Sequence, residues 1–387
     1  MKNKLFLASC ISLTVTSLTF AYRAMLDPVF KDVYHLTNSE ISIAFAPAFW
    51  GFTISMIIGG LLIKSFGAKR FINIMLVFHV LGIVITLFAD NFITLFVGTL
   101  FVGIGNGFVE AVCNPLIAAT YPDQKVKMLN RFHLWFPMGI LIGSLASELL
   151  FKQLGVPWQV IFGSLLILVA VYGMLFRNIT ISEEQISGMG DDVKGMIKAI
   201  KKPLFLFMLV CMLFTAATEL GTGQRIESLL KETGVSPLLV LAFIFGLMSL
   251  GRYHAGTLLK KLNTQTILLL SAVFSCVGLL ALSTFSGYST FAAAAIFAVG
   301  VCYFWPTMLG FVAEELPETG SLGLSLMGGF GMLSVSTVLV GMGNLMDDNT
   351  TGQETLRIMS ILPAAMIIAF IILNLWMKKR KRTTHFS

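Results

Sequence analysis

Among the carboxylates of this 387-residue chain, Glu110 and Glu219 interrupt apolar stretches and Asp27 lies just past the first one. Glu110 is the most informative. Asn106 precedes it by four residues and Asn114 follows it by four, so on a helix all three fall on one side. Two amides beside an acid can hydrogen-bond the acid or the hydroxyls of a small polar solute. Counting from Tyr121, where a polar segment begins, Glu110 lies about 16 Å into the run at about 1.5 Å per residue. A carboxylate at that depth of a bilayer costs on the order of 2.5–3.5 kcal/mol on insertion scales. It needs a partner or a function. A carboxyl group withdrawn from water can load and release a proton near neutral pH. The alternative is a neutral hydrogen bond that only joins helices.

The elements that must hold these groups follow from composition. Hydrophobic residues make up 56% and charged residues 12%, where a soluble domain carries roughly 25% charged residues. So few charges cannot cover the surface of an ordinary soluble enzyme. A disordered chain and a disulfide scaffold are excluded as well, and an all-α, polytopic membrane protein is expected. Twelve apolar runs are long enough to span: 5–25, 41–63, 71–89, 92–118, 130–150, 158–177, 203–223, 237–259, 265–285, 289–313, 321–345 and 355–377. The first run is too long for a signal peptide and lacks a good cleavage site, so it reads as a retained helix.

The net charge of +7 does not point to nucleic acid, because the basic residues sit in short gaps between apolar runs. With the N-terminus inside, most of the 27 Lys and Arg fall on one side. They include Lys64, Lys69 and Arg70, Lys125, Lys127 and Arg131, and the tail KKRKR. This asymmetry places both termini in the cytoplasm of a cell whose membrane the chain crosses, with the tail touching lipid headgroups. The five cysteines lie inside apolar runs without metal-ligand spacing and read as small buried hydrophobes. No Walker sequence or nucleophile–base spacing is present, and GIGNG at 103–107 has no strand before it, so close helix packing explains it. No enzyme activity, metal or cofactor is expected. The glycosylation-like NIT at 178–180 and NTT at 349–351 carry no weight.

The chain repeats itself. GLLIKSFGAKRFI begins at Gly60 and GTLLKKLNTQTIL at Gly256, an offset of 196. Both glycines are expected at close helix contacts near the cytoplasmic surface. The polar stretch 178–202 then separates two six-helix bundles, 1–177 and 203–377, followed by a basic tail, 378–387. This duplicated arrangement, with GLLIKSFGAKR, resembles the major facilitator transporters. FVEAVCNPL, LNRFHLWFPMG, TELGTG, GRYHAGTLL and YFWPTMLG together resemble the fucose–glucose–galactose proton symporter family. Glu110, Asn130, Glu219, Gly251, Arg252, Gly256, Pro306 and Thr307 are the matching positions. The family's first-helix Asp corresponds to Ala24, with Asp27 one turn outward. Its sugar-binding Gln and Asn of the fifth helix correspond to His133 and Phe136.

The resemblance implies alternating access between two pseudo-symmetric bundles, carrying a small polar solute, a monosaccharide with a coupled proton, with the chain acting as a monomer. Rival readings are a transporter of another small organic solute, in either direction, and a transport-dead receptor or assembly factor. Proton coupling falls to Glu110, Glu219 or Asp27. Solute contacts fall to Asn106, Asn114, Asn130, His133, Trp135, Gln224, Tyr303 and Trp305. Gating falls to Arg23, Arg252, Gly60 and Gly256. The repeat offset maps Glu219 onto Arg23, so these two are placed to approach across the cavity; alternatively Arg23 reaches the outer interface and Glu219 bonds Gln224. Arg252 reads as a cytoplasmic-loop clamp held by a carboxylate or helix end, or else as a solute ligand. His133 suits a protonation gate or a satisfied structural role, and His79 and His254 read as structural. Reporter fusions at Asp90, Thr233 and Asp348 are expected to read outside, and those at Lys69, Asp191 and the tail inside. A tail reporting from outside contradicts an even number of spans.

Overall fold

The computed structural model describes residues 2–121, 125–182, 193–254, 258 and 261–384. Gly256 lies outside the described residues, as does the side chain of Asn130. Among the described residues there is no β-strand. Among the described residues, eleven helices are long and apolar enough to cross a membrane and one shorter apolar helix, α8, joins them: α1 (Lys2–Val33), α2 (Asn38–Ile63), α3 (Ala68–Leu87), α4 (Phe92–Ile117), α5 (Arg131–Gln153), α6 (Trp158–Arg177), α7 (Pro203–Gln224), α8 (Pro237–Tyr253), α9 (Thr264–Leu282), α10 (Ser289–Glu315), α11 (Leu322–Asp347) and α12 (Gly352–Lys379).

Helices are the form an open chain can take in lipid, because each closes its own backbone hydrogen bonds. Their ends are written locally. Pro203 and Pro237 open α7 and α8, where the missing N–H is no loss. Thr37 with Glu40 and Asn91 with Thr94 form reciprocal caps at the starts of α2 and α4. Buried hydroxyls bond back along their own helix, as Ser55 does to the Gly51 carbonyl at 2.7 Å.

Two apolar cores result. One joins Leu13, Met75, Val109, Phe132 and Tyr172 within α1–α6. The other joins Met208, Phe245, Phe297, Met308 and Phe370 within α7–α12, and also takes in Phe20, Phe49, Phe52 and Ile140 from the first half. The halves therefore meet through α1, α2 and α5. Across the seam α2 packs on α11 and α5 on α8. Between helices already in lipid, close van der Waals fit replaces the hydrophobic drive. Gly103 supplies such a fit: a Cβ there would fall 2.0 Å from the Ala48 carbonyl oxygen, so GIGNG is a packing surface between α4 and α2.

Among the described residues, two of the helices contain a π-helical segment. The segments Ser147–Gln153 in α5 and Ala217–Gly221 in α7 are π-helical, a form concentrated at functional sites. Gly60 lies on the seam itself, where an added Cβ would come 2.5 Å from Ser325 Oγ of α11. Gly60→Leu is expected to slow transport about tenfold while solute affinity stays within about threefold, because overpacking there obstructs the halves and not the site. Unchanged turnover in proteoliposomes contradicts this.

Candidate functional site

Glu110 sits on α4, 8% exposed. Asn114, one turn on, donates from Nδ2 to Glu110 Oε2 at 2.6 Å. The Asn114 Oδ1 faces His133 Nε2 of α5 at 3.0 Å, so that ring nitrogen carries the hydrogen. His133 Nε2 is 3.8 Å from Glu110 Oε2. An acid, an amide and an imidazole are thus chained across α4 and α5. Asn106 does not join them. Its Oδ1 accepts from His79 Nε2 at 2.9 Å, and its Nδ2 donates to Thr19 Oγ1 at 3.0 Å. The other His79 nitrogen accepts from the Tyr172 hydroxyl at 2.8 Å. Asn106 and His79 hold α1, α3, α4 and α6 together inside the first half.

The second half carries its own cluster. Glu219 lies within the π-helical turn of α7. Its Oε1 accepts from Arg252 Nη2 of α8 at 3.1 Å, while its Oε2 is buried with no hydrogen-bond partner among the described residues. Arg252 Nε donates to the Cys302 carbonyl at 3.0 Å. That carbonyl is available because Pro306, four residues on, has no N–H to give it, and the helix is interrupted at Cys302 and Tyr303. Tyr303 donates to the Gly251 carbonyl at 2.9 Å. Arg252 is held by a carboxylate and a helix-end carbonyl, as its reading as a clamp expects, but the two lie in α7 and α10 and not in a loop.

Arg23 does not meet Glu219, contrary to the pairing drawn from the repeat. Its Nη1 donates to Gln224 Oε1 at 2.8 Å, and Gln224 Nε2 donates to the Phe20 carbonyl at 3.1 Å. The guanidinium lies 5.2 Å from the centres of both the Phe20 and Phe49 rings. Gln224 is therefore spoken for by Arg23, not by Glu219. Trp305 packs on α11 beside Gly331. The Trp135 indole is 40% exposed.

At the end of the molecule away from the termini, polar contacts shut the seam. Arg225, 1% exposed, pairs through Nη1 with Asp27 Oδ1 at 2.5 Å. Ser228 donates to the other oxygen of Asp27 at 2.7 Å. Asp347 of α11 accepts from the backbone N–H of Asn38 and Ser39 at 2.8 and 2.7 Å, at the positive end of α2. Lys152 of α5 pairs with Glu227 just past α7 at 2.8 Å. Burial pushes the Glu227 carboxyl up, and Lys152 opposes this. A cavity of about 300 Å³ lies beside this closure, lined by Lys31, Asp32, Ser228 and Glu232 among others. It is separate from the two clusters. Asp27 is thus a member of the closure. Sequence reasoning missed Arg225. The available signal was the offset of 196, which carries Asp27 to Gly223, two residues away.

A two-half, twelve-helix membrane fold with a charged cluster inside each half fits the class of membrane transporters. The family model of the Major Facilitator Superfamily matches residues 5–339, and the chain belongs to that superfamily. Among curated proteins, none matches the chain by sequence. Solved structures similar in fold include the xylose transporter XylE from E. coli in a partially occluded inward open conformation. It has a TM-score of 0.79 at 14% identity, covering 95% of this chain and 96% of that one. The E. coli fucose:proton symporter FucP aligns with a TM-score of 0.67 at 15% identity, covering 95% and 98%. The nucleoside transporter NupG aligns with 0.73 at 12% identity, covering 96% and 98%.

Asp347→Asn weakens the clasp on α2. It is expected to shift the equilibrium roughly fivefold toward opening of that end, since an anionic cap contributes about 1 kcal/mol. The check is the rate at which a membrane-impermeant thiol reagent, added on that side, labels a cysteine introduced at Ala24. A rate equal to the parent's refutes the clasp.

Proposed function

We propose that this major facilitator transporter imports a monosaccharide together with a proton across the cytoplasmic membrane, with both termini in the cytoplasm. The observation that carries the reading is Glu110: a buried carboxylate held by one neutral amide, with a titratable imidazole 3.8 Å away. Such a group can change charge without dismantling an ion pair. Asp27 and Glu219 are each bound to an arginine, and losing their charge strands that arginine. Glu110 is therefore the proton carrier. Asp27 belongs to the outer gate, and Glu219 holds Arg252 within the second half.

The bundles 1–177 and 203–377 rock about the seam, joined by 178–202, as one monomer in lipid. The end shut by Asp27 and Arg225 is then the extracellular one. Asn114, His133, Gln224 and Tyr303 offer hydrogen bonds to sugar hydroxyls, and Trp135 and Trp305 offer aromatic faces. Two of the fold relatives bear the names of a xylose transporter and a fucose:proton symporter, which supports a sugar. The nucleoside transporter keeps a different small organic solute as the second reading. A transport-dead receptor has no use for a buried carboxylate bound only by neutral groups.

The experiment is uptake of labelled sugars into proteoliposomes with and without a pH gradient. Glu110→Gln mimics the protonated carrier. It is expected to abolish pH-driven accumulation while keeping downhill exchange, because exchange does not require the proton to leave. Asp27→Asn and Glu219→Gln, tested alongside, are expected to slow both modes together. Wild-type accumulation by Glu110→Gln refutes the assignment.

A further inference from the structure

Apart from the outer contacts of Glu148, Lys152, Glu227 and Asp347, and from the imidazole of His133 beside Glu110, six charged groups lie at or near the seam: Arg23, Arg225 and Arg252, and Asp27, Glu110 and Glu219. Four are matched as Asp27–Arg225 and Glu219–Arg252. Arg23 and Glu110 are left, each on neutral partners. Arg23 is 4% exposed. What faces it is the Phe20 ring of its own helix, the Phe49 ring of α2 and the Gln224 amide of α7. Asp27, one turn along α1, has its two oxygens engaged by Arg225 and Ser228. The charge on Arg23 is therefore met by two ring faces and one amide oxygen. A buried guanidinium with no carboxylate is uncommon, because desolvation is costly without an opposite charge.

The sum of charges changes during the proposed cycle. With Glu110 ionised, Arg23 and Glu110 cancel. Once Glu110 takes up a proton, Arg23 leaves one positive charge uncompensated between the halves. A neutral sugar does not alter that. A solute with one carboxylate restores the balance. The rings meet the guanidinium at 5.2 Å without supplying a hydrogen-bond acceptor, and a guanidinium edge matches a carboxylate through two parallel hydrogen bonds. A phosphate monoester, at about −1.5 to −2, overcompensates. We infer that the solute is a sugar acid, an aldonate or uronate, whose carboxylate replaces Gln224 on Arg23 while the outer end is open. The inference rests on the sugar–proton reading and sharpens it. One proton and one monoanion move no net charge per cycle, so transport is electroneutral.

The test uses the full-length protein in proteoliposomes, with labelled D-galacturonate and D-glucuronate against D-galactose and D-glucose. An inward proton gradient is imposed with the membrane potential clamped at zero or at about 100 mV. The acids are expected to accumulate at least tenfold over their neutral parents and to ignore the potential. Carriage of one net charge instead changes steady-state accumulation about fiftyfold per 100 mV. Arg23→Gln is expected to cut acid uptake at least tenfold, and Arg23→Lys to retain part of it. The potential measurement on the unmodified protein stands even if Arg23→Gln fails to fold. Accumulation of the neutral sugars without the acids overturns the inference and leaves sugar–proton symport standing. Acid uptake that follows the potential, or that survives in folded Arg23→Gln, overturns the role of Arg23. Accumulation of neither group overturns both readings.

Discussion

A charge placed within the thickness of a bilayer must first be matched, and the layout of this molecule follows from that requirement. The ion pair between Asp27 and Arg225 shows it most clearly. Neither residue has solvent to turn to, and they come from opposite halves. Their attraction can be satisfied in this way only when the halves are together at that end. The pair is thus a statement about conformation as well as stability. Glu219 and Arg252 are matched within one half, so that pair survives any rigid movement of the bundles. The distinction between pairs across the seam and pairs inside a bundle separates what must break in a transport cycle from what travels intact.

The same requirement explains which parts of the molecule were legible in the sequence. The twelve runs and their order were, because length and apolarity suffice to specify a spanning helix. Asn114 beside Glu110 was also legible from its spacing. Asn106, at the mirror spacing, was not. Four residues advance a helix by about 40° beyond a full turn, so the two asparagines lie about 80° apart and meet different neighbours. Asn106 turns to His79 of α3 and Thr19 of α1. Spacing along one helix cannot reveal which helices lie on either side of it.

Arg225 was missed, and for Arg252 the kind of partner was legible but not its place, for a related reason. Each is long enough to reach a partner well away from its own Cα. Arg252 stands near the end of α8, yet its head group contacts α7 and the carbonyl exposed by Pro306 in α10. Arg225 directly follows an apolar helix and looks like an interfacial anchor, yet it is among the most buried side chains. For such residues the target is set by tertiary structure, and the backbone position is a poor guide.

The π-helical turn in α7 has a bearing beyond Glu219. Such a turn is an α-helix that has accommodated one extra residue. Each residue of an α-helix rotates the chain by about 100°, so everything beyond Gly221 is turned by that amount relative to an uninterrupted helix. Gln224, which meets Arg23, and Arg225, which meets Asp27, both lie just beyond it. Glu148 and Lys152 lie in the π segment of α5, with Lys152 reaching Glu227. The phase of the gate is therefore stored in two single-residue surpluses. Were the turn in α7 to relax to α geometry, the gate residues would swing away from the seam while the helix below Ala217 stayed in place. A local change of pitch would then unlock one end of the carrier without first displacing an entire bundle.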